Sequence, residues 1–369
     1  MTDNAKNIPC KVQYRPTSHR YSEAIRQFQG CPTIALTRKG RIYVGWYSGG
    51  TREPHMENYN LLVYSDDKGE SWSEPLIVIE SNKELFVHAL DIQLWTDPDG
   101  RLHVYWVQNN TAPVPDVLPV CSDTQPLMVV DGYMFSDFTH ACWEIICDDP
   151  DAEEPVFSEP RYLDKGFLRC KPLVTESGKW LCFNYDQVDP RYGYSISCDN
   201  GQSYERRYGS EKLATCFDEA MAYTTREGSI RMLARTRLGE LAECYSYDEG
   251  NSFTDAKASG IDSPNTRFYV ARTPSGRLLL VNNDDRKVRK NMTVYLSSES
   301  DDELIHRVLI DPREHVSYPD ADFFDGRIYL VYDRERTGAM EILFLSFTEQ
   351  DVIDGTLPAP RIISKPKRV

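Results

Sequence analysis

One eight-residue phrase occurs three times in this chain and restricts its fold more than any other feature. The copies, at 65–72, 197–204 and 246–253, share the pattern Ser-x-Asp-x-Gly-x-Ser-aromatic. The pattern predicts a tight turn between two strands, in which the Asp carboxylate accepts backbone N–H groups and the Gly takes a positive φ. The Ser hydroxyl locks this turn and the aromatic ring packs beneath it. Its recurrence predicts a fold built from repeated β units.

A second repeat consists of short β-rich runs that enter and leave a Gly-containing turn, with the chemistry of two-residue hairpins. The six turns are centred on Gly40, Gly100, Gly178, Gly228, Gly276 and Gly326. Most of them recur at about 50 residues, a spacing typical of propeller blades. If a degenerate fourth copy of the phrase at 297–304 is admitted, four units read strand, Gly turn, strand, strand, Ser-x-Asp turn, strand. Each such unit is one four-stranded blade.

We therefore predict an all-β fold, a six-bladed β-propeller of four-stranded antiparallel blades, as a single domain over 1–369. Helical periodicity is confined to short segments around 22–26 and 348–353. The second unit carries an insert at about 109–138, followed by a third strand at 140–147. This insert either covers the pocket or contacts a neighbouring subunit. Either 360–363 or 10–14 is expected to supply the strand that closes the ring.

Composition narrows the partners and the location. The net charge of −15 argues against nucleic acid or an acidic membrane surface, but a few convergent arginines can still bind a small anion. No basic segment followed by an apolar run opens the chain and no apolar run reaches about 18 residues, so a cytoplasmic protein outside the membrane is expected. The ten cysteines are scattered singly, which predicts buried reduced thiols rather than a metal or cofactor site. Oligomeric state is not encoded in these patterns.

The innermost strands of a propeller begin around the central axis at one face, where their side chains converge on one pocket. Six segments fall at these starts, and they are rich in ionisable residues: 30–32, 88–91, 169–172, 218–219, 265–267 and 317–320. The loops that leave these strands add further charged side chains: Arg52, His55, Glu57, Arg235, Arg237, Arg286 and Arg289.

With these residues in place, the chain resembles the sialidase superfamily along its whole length, and the eight-residue phrase resembles the Asp-box of that family. The resemblance implies that Tyr318, in Ser-Tyr-Pro-Asp at 317–320, is the nucleophile and that Glu219 is its partner. A phenol is a poor nucleophile unless a neighbouring carboxylate takes its proton. A neutral nucleophile also avoids repulsion by a carboxylate on the anomeric carbon.

The same resemblance implies that three arginines bind the substrate carboxylate, because guanidinium forks suit a planar anion. Arg235 resembles the second of them and Arg289 the third, with Arg267 and Arg286 as competitors. Gly30 stands where the family has the first, in an Arg-Ile-Pro phrase.

The loop that holds the acid/base aspartate in the family reads 49–58 here and contains no Asp. The expected proton donor is therefore His55 or Glu57. The remaining expected substrate-binding residues are Asp91, His88, His140, Lys171 and Arg52.

Three functions remain open from the sequence. The first is an exo-glycosidase that removes a terminal acidic sugar from an oligosaccharide, with retention of configuration. The second is a lyase acting on uronate-containing glycans, in which Tyr318, His88 or His140 abstracts a proton while an arginine neutralises the carboxylate. The third is a non-catalytic carbohydrate-binding propeller. All three take a carbohydrate partner.

Overall fold

Strands make up nearly all of the regular structure. The computed structural model describes residues 3–116, 127–136, 140–215 and 217–366. Two short helices, α1 (Asn4–Asn7) and α2 (Glu349–Asp354), accompany two 3-10 turns at His19–Tyr21 and Glu23–Ile25. In chain order the strands are β1 (Lys11–Tyr14), β2 (Phe28–Leu36), β3 (Ile42–Gly49), β4 (Tyr59–Ser65), β5 (Ile77–Glu80), β6 (Val87–Thr96), β7 (Leu102–Pro113), β8 (Leu127–Val130), β9 (Tyr133–Ser136), β10 (Ala141–Cys147), β11 (Arg161–Lys165), β12 (Phe167–Leu168), β13 (Leu173–Val174), β14 (Trp180–Cys182), β15 (Asn184–Tyr185), β16 (Arg191–Ser197), β17 (Glu205–Glu211), β18 (Met221–Thr224), β19 (Ile230–Ala234), β20 (Glu240–Ser246), β21 (Lys257–Asp262), β22 (Tyr269–Arg272), β23 (Leu278–Asn283), β24 (Met292–Ser297), β25 (Leu304–Asp311), β26 (Val316–Phe324), β27 (Arg327–Arg334), β28 (Glu341–Thr348) and β29 (Arg361–Ser364).

These strands form six antiparallel blades, which confirms the predicted six-bladed propeller. Blade 1 contains β2 to β5, blade 2 contains β6, β7, β10 and β11, and blade 3 contains β13, β14, β16 and β17 beside a small β12–β15 pair. Blades 4, 5 and 6 are β18 to β21, β22 to β25 and β26 to β29. The inner strand β2 is buried along its whole length, whereas the outer strand β25 alternates between exposed and half-buried residues. This gradient follows from packing inner strands between neighbouring blades.

The first and last strands of the chain add to blades 1 and 6, whereas one of them was expected to close the ring. β29 is the outer strand of blade 6, and β1 pairs with β5 as a fifth strand of blade 1. Neither strand pairs with the blade at the other end of the chain, so the predicted strand closure of the ring is wrong. Side chains join blades 1 and 6 instead: Thr33 donates to Asp320 at 2.7 Å, and the Cys31 N–H donates to Asp333 at 2.7 Å.

The Gly turns differ from two-residue hairpins in five of the six blades. In blade 1 the Thr37 N–H donates to the Arg41 carbonyl and the Gly40 N–H to the Thr37 carbonyl, which leaves a three-residue loop with Gly40 at φ 90°. In blade 6 Phe324 pairs with Arg327 around a two-residue turn. The loops with the blade 1 pattern are centred on Gly100, Gly178, Gly228 and Gly276.

The three Asp-boxes have the predicted turn geometry and join the third and fourth strands of blades 1, 3 and 4. In the first, Asp67 accepts the Ser71 N–H at 2.9 Å and the Ser71 hydroxyl at 2.6 Å, while Ser65 accepts the Gly69 N–H at 2.8 Å. The Trp72 ring packs against Phe344 of blade 6, with 5.4 Å between ring centroids. The boxes lie on the outer part of the ring and hold blades together.

The insert of blade 2 forms a hairpin, as far as it lies within the described residues. β8 and β9 pair with each other, and β9 continues along the extended end of β7. Positions 117–126 and 137–138 of the predicted insert lie outside the described residues. The following strand β10 confirms the predicted third strand of the blade.

Eight cysteines lie within the described part of the chain and carry free thiols, seven of them buried and Cys198 exposed. Cys121 and Cys216 are outside it. Among the described helices, none is long and apolar enough to cross a membrane.

Candidate active site

Distortions in the inner strands aim four side chains at the centre of one face. The inner strands of blades 1, 2 and 6 each shift register against their neighbour once. The residues at these bulges have a left-handed backbone, with φ 56° at Cys31, 55° at Asp91 and 56° at Tyr318. Glu219, just before β18, has φ 35°. Non-glycine residues adopt this conformation at a cost, and such strain is concentrated at functional sites.

Tyr318 and Glu219 meet as the sequence predicted. The Tyr318 hydroxyl donates to Glu219 Oε1 at 2.7 Å. Arg235 Nη1 donates to Glu219 Oε2 at 2.7 Å and to the Tyr318 hydroxyl at 3.2 Å, and Arg235 Nε donates to Asn265 at 2.6 Å. A blade 6 tyrosine, a blade 4 glutamate and a blade 4 arginine therefore form one buried hydrogen-bonded unit.

The charges of this unit fix its protonation. Burial opposes ionisation of Glu219, but the neighbouring Arg235 and Arg169 outweigh it, so the pKa of Glu219 is lowered. Burial and the Glu219 charge raise the pKa of Tyr318. The resting pair is consequently a carboxylate that accepts a hydrogen bond from a neutral phenol. This is the state in which a carboxylate can take the phenol proton as the oxygen attacks.

Four guanidinium groups surround the Tyr318 ring. Arg336 Cζ lies 4.2 Å from the ring centroid, Arg267 5.3 Å, and Arg169 and Arg289 each 5.5 Å. All four are within the range of cation–π attraction. In a chain with a net charge of −15, this is a strong local concentration of positive charge.

Arg267 belongs to the scaffold rather than to the open side of the site. Its Nη1 donates to the Arg169 carbonyl at 2.9 Å, and its Nη2 donates to the carbonyls of Pro32 at 2.9 Å and Pro319 at 3.1 Å. Its side chain is fully buried and ties together carbonyls of blades 1, 3 and 6. Both Nη groups of Arg267 therefore bind main-chain carbonyls of the scaffold, although the sequence predicts a role for this residue in substrate binding.

Arg289 differs from Arg267 in this respect. It donates to the Asn265 carbonyl at 2.9 Å and has no ion-pair partner among the described residues. Burial and the guanidinium groups of Arg336 and Arg235 lower the pKa of Arg289. Three arginines therefore share a space in which an anion would relieve their mutual repulsion.

Arg336 supplies a guanidinium group beside Gly30, the residue that stands in place of the first arginine of the sialidase superfamily. It pairs with Asp333 at 2.9 Å and with Glu53 at 2.8 Å. A Cβ added to Gly30 would lie only 2.6–2.8 Å from Arg336 Cγ, Cδ and Nε. The missing side chain at Gly30 thus makes room for an arginine from blade 6.

Two carboxylates and a thiol converge beside these arginines. Ligand atoms of Cys31, Glu53 and Asp91 all lie within 4.8 Å of one another. Arg169 Nε is 3.5 Å from Asp91 Oδ2, and Arg336 pairs with Glu53. Burial raises the pKa of the Cys31 thiol well above its usual value. With guanidinium partners on both carboxylates and a protonated thiol, the cluster fits an ion-pair network better than a metal centre.

The two residues expected to donate a proton have their described polar contacts with groups other than Tyr318. The Glu57 carboxylate is half-exposed and pairs with Arg20 at 2.9 Å and with Lys83. His55 Nε2 contacts Asp131 at 2.6 Å, in the turn of the insert hairpin, and His55 Nδ1 accepts the Glu57 N–H. The insert hairpin therefore packs on the 49–58 loop of blade 1, which also carries Glu53.

Of the two expected histidines, His88 lies between blades 1 and 2, and His140 packs against Phe167 beside blade 3. His88 is fully buried, with Nε2 2.6 Å from the Tyr47 hydroxyl and Nδ1 3.0 Å from Asn109. The His140 ring lies 3.8 Å from Phe167, between ring centroids. Neither arrangement places an imidazole against the Tyr318–Glu219 pair.

Two basic residues expected in or near the pocket have their partners elsewhere, and a third is exposed. Lys171 donates to the Ala321 carbonyl at 2.6 Å and pairs with Asp322, further along β26 than Tyr318. Arg286 pairs with Glu240 and Asp262, and Arg52 is exposed.

Sequence reasoning missed Glu53, Arg169 and Arg336. Arg336 lies in the loop after the second strand of blade 6, the position that yielded candidates in blades 1, 4 and 5. Applying the same rule to blade 6 would have found it. Arg169 opens the 169–172 segment, and Glu53 lies in the 49–58 loop that was searched for an aspartate.

Solved structures with this fold include several sialidases. The NanB sialidase of Streptococcus pneumoniae is 14% identical with a TM-score of 0.68, over 93% of this chain and 71% of that chain. The intramolecular trans-sialidase of Ruminococcus gnavus is 13% identical with a TM-score of 0.67, over 93% and 98%. The intramolecular trans-sialidase of the leech is 13% identical with a TM-score of 0.69, over 92% and 71%. At such identities the likeness concerns the fold.

Comparison with curated protein sequences finds no match. A model of the BNR repeat-like domain matches residues 40–330, which include all three Asp-boxes and five of the six inner strands, all except β2. Because this match spans most of the chain, the protein belongs to the BNR repeat-like domain family.

Proposed function

We propose that this protein is a retaining exo-glycosidase that removes a terminal, carboxylate-bearing sugar from an oligosaccharide. The observation that carries the proposal is the Tyr318–Glu219–Arg235 unit beneath Arg289 and Arg336. It combines a nucleophile that can be activated with a cluster of guanidinium groups in which Arg289 has no carboxylate partner among the described residues.

In the first step the Tyr318 oxygen attacks the anomeric carbon, Glu219 takes the phenol proton, and the glycosidic bond breaks as a general acid protonates the leaving oxygen. In the second step water attacks the same carbon and gives a proton back to that acid, the bond to Tyr318 breaks, and Glu219 returns its proton to the Tyr318 oxygen. Two displacements at one carbon retain its configuration. Arg235 holds Glu219 and Tyr318 in register throughout both steps.

The cations favour an anionic sugar. Arg289 and Arg336 lie over the face of Tyr318, where a carboxylate on or next to the anomeric carbon would meet them. Charge-assisted hydrogen bonds to a carboxylate suit guanidinium groups. The fold relatives named as sialidases, one of them the Trypanosoma rangeli enzyme in complex with sialic acid at a TM-score of 0.59, support this substrate class.

The test is a screen of 4-methylumbelliferyl and 4-nitrophenyl glycosides, including sialic acid and uronic acids, with Tyr318→Phe and Tyr295→Phe assayed beside the wild type. Tyr318→Phe should lose about 10³-fold or more of kcat/KM, and Tyr295→Phe, in blade 5, should lose none. The first-formed sugar should keep the anomeric configuration of the substrate by NMR. Full turnover by Tyr318→Phe would refute the tyrosine mechanism.

The same assay separates the other two functions. A lyase would release an unsaturated product that absorbs in the ultraviolet. A carbohydrate-binding propeller would bind sugar without turnover over days, and Tyr318→Phe would leave its affinity unchanged.

A further inference from the structure

We infer that Glu53 and Asp91 form a proton-sharing carboxyl pair that protonates the leaving group, with Glu53 as the member that reaches the substrate. The inference rests on the proposed glycosidase function. It assigns the proton donor that His55 and Glu57, in their observed positions, do not supply.

The first argument is the geometry of the two carboxyl groups. Their oxygens lie within 4.8 Å of each other and of the Cys31 thiol. Two carboxylates this close repel each other when both are ionised, so one proton between them is favoured. Asp91 Oδ1 is buried and has no hydrogen-bond partner among the described residues, although Oδ2 faces Arg169. An unpartnered oxygen beside a second carboxylate is a place for that proton.

The second argument is the charge around Asp91. The groups that face it are Arg169 and Arg336, which favour its ionised form, and Glu53 and Glu219, which oppose it. Burial is the largest influence, and the balance raises the pKa of Asp91 to about 6. The pair as a whole can therefore hold a proton in the pH range where glycosidases need an acid.

The third argument is the position of the pair relative to the nucleophile. Arg336 bridges Glu53 and the Tyr318 ring, since its guanidinium is 2.8 Å from the carboxylate and 4.2 Å from the ring centroid. Arg169 bridges Asp91 and the same ring. Glu53 retains 29% of its side-chain exposure, whereas Asp91 retains 10%. Glu53 can therefore touch a bound sugar, and Asp91 acts through it as a positioning residue.

The pair completes the proton balance of the reaction. As the Tyr318 oxygen bonds to the anomeric carbon, the bond to the leaving oxygen breaks and that oxygen takes the proton held by the pair. When water attacks in the second step, its proton returns to the pair while the bond to Tyr318 breaks. The carboxyl pair begins and ends each turnover with one proton.

The test compares Glu53→Gln with wild type on two substrates that differ in their leaving group, a 4-nitrophenyl glycoside and the methyl glycoside of the same sugar. Loss of the acid should reduce kcat/KM about 10²- to 10⁴-fold on the methyl glycoside and far less on the 4-nitrophenyl glycoside. Azide should restore turnover of the 4-nitrophenyl glycoside and give a glycosyl azide, because this small anion needs no general base. Equal losses on both substrates with no azide product would overturn the inference.

Two further measurements separate this inference from the proposed function. Asp91→Asn should move the alkaline limb of the kcat/KM profile to lower pH with KM unchanged, because the proton is then no longer held between two carboxyl groups; an unmoved limb counts against the pair. Burial raises the pKa of Asp218 to about 7, so this carboxyl also gives a protonated-carboxyl infrared band near pH 6. The diagnostic band is therefore the one that is present in wild type and in Glu84→Gln, an exposed control, and missing from Asp91→Asn. This band does not depend on turnover, so its absence from wild type overturns the pair even if Tyr318→Phe is inactive. If the band is present and no glycoside is cleaved, the shared proton stands while its catalytic role and the proposed function both fail.

Discussion

Arg336 occupies the space that a side chain at Gly30 would require. The aliphatic part of the arginine crosses the Gly30 Cα at a distance that excludes any Cβ, and its guanidinium then stacks on Tyr318. Blade 6 thereby places a cation beside the first blade. Gly30 and Arg336 therefore form one structural unit, and neither residue taken alone indicates that a guanidinium group lies beside blade 1.

Gly30→Ala should displace Arg336 and damage the site. The new Cβ meets three Arg336 side-chain atoms, so the arginine must move off the Tyr318 ring or the strand must shift. Overpacking of this kind costs about 1–3 kcal/mol in the free energy of unfolding. We expect that loss in a urea titration, together with a raised KM for an anionic glycoside. Gly209→Ala, where the nearest atom would be 3.7 Å away, is the matched control and should change neither quantity.

Arg289→Met should weaken binding of anionic sugars and spare neutral ones. The guanidinium lacks an ion-pair partner among the described residues and lies near Arg235 and Arg336, so a substrate carboxylate is the group it is placed to meet. Loss of a charge-assisted hydrogen bond of about 1.5–3 kcal/mol raises KM about 10- to 100-fold. Arg286→Met, in the same loop but paired with Glu240 and Asp262, should leave KM unchanged. The same KM rise with a neutral glycoside would argue against a carboxylate contact.

Arg267→Met should behave as a stability mutation. Its guanidinium satisfies the carbonyls of Pro32, Arg169 and Pro319 in the middle of the ring, and removing it leaves these acceptors buried without donors. A buried carbonyl left without a donor costs about 1–3 kcal/mol in the free energy of unfolding. Denaturant unfolding measures this loss, with Arg327→Met as the control on the outer part of blade 6. A fully stable Arg267→Met protein with a raised KM would return Arg267 to the substrate-binding group.

The sequence was sufficient to predict the six-bladed propeller because each blade contains at least one local turn pattern. Asp-boxes and Gly turns are short-range patterns whose hydrogen bonds close within a few residues. Tyr318 and Glu219 were also predictable, since both open inner strands and the propeller topology brings such starts together. Topology placed both residues at one face, and the resemblance to the sialidase superfamily paired them.

The rest of the site could not be predicted, because it depends on the direction in which each side chain points and not only on the position of the residue in the blade. The sequence offers Arg267 and Arg289 equally as substrate-binding residues. In the structure Arg267 binds three main-chain carbonyls, whereas Arg289 faces other guanidinium groups. Left-handed bulges at Cys31 and Asp91 decide which of several consecutive residues points to the centre. Such bulges have no signature here in glycine or proline at the residue concerned.

The last prediction concerns the pH dependence of stability at Asp91. Burial first, and then the Glu53 and Glu219 charges, raise the pKa of this carboxyl from 3.8 to about 6 in the folded protein, although Arg169 opposes them. The folded protein therefore binds the proton more tightly than the unfolded chain. As pH rises from about 4 to 6, the unfolded chain releases its proton before the folded protein does. Asp91 therefore lowers the free energy of unfolding progressively across this window. Above pH 6 the full loss is about 3 kcal/mol.

Asp91→Asn removes this penalty and keeps an oxygen toward Arg169. Its melting temperature should exceed that of wild type at pH 8, and the gain should disappear toward pH 4. Asp199→Asn, in the second Asp-box, should show the opposite trend. Hydrogen bonds from Ser203 and Ser197 lower the pKa of Asp199 to about 2, so its contribution is present above about pH 4 and is lost as pH falls toward 2. If the difference in melting temperature between Asp91→Asn and wild type is the same at every pH from 4 to 8, Asp91 is ionised across this range. The carboxyl pair would then hold no proton to donate.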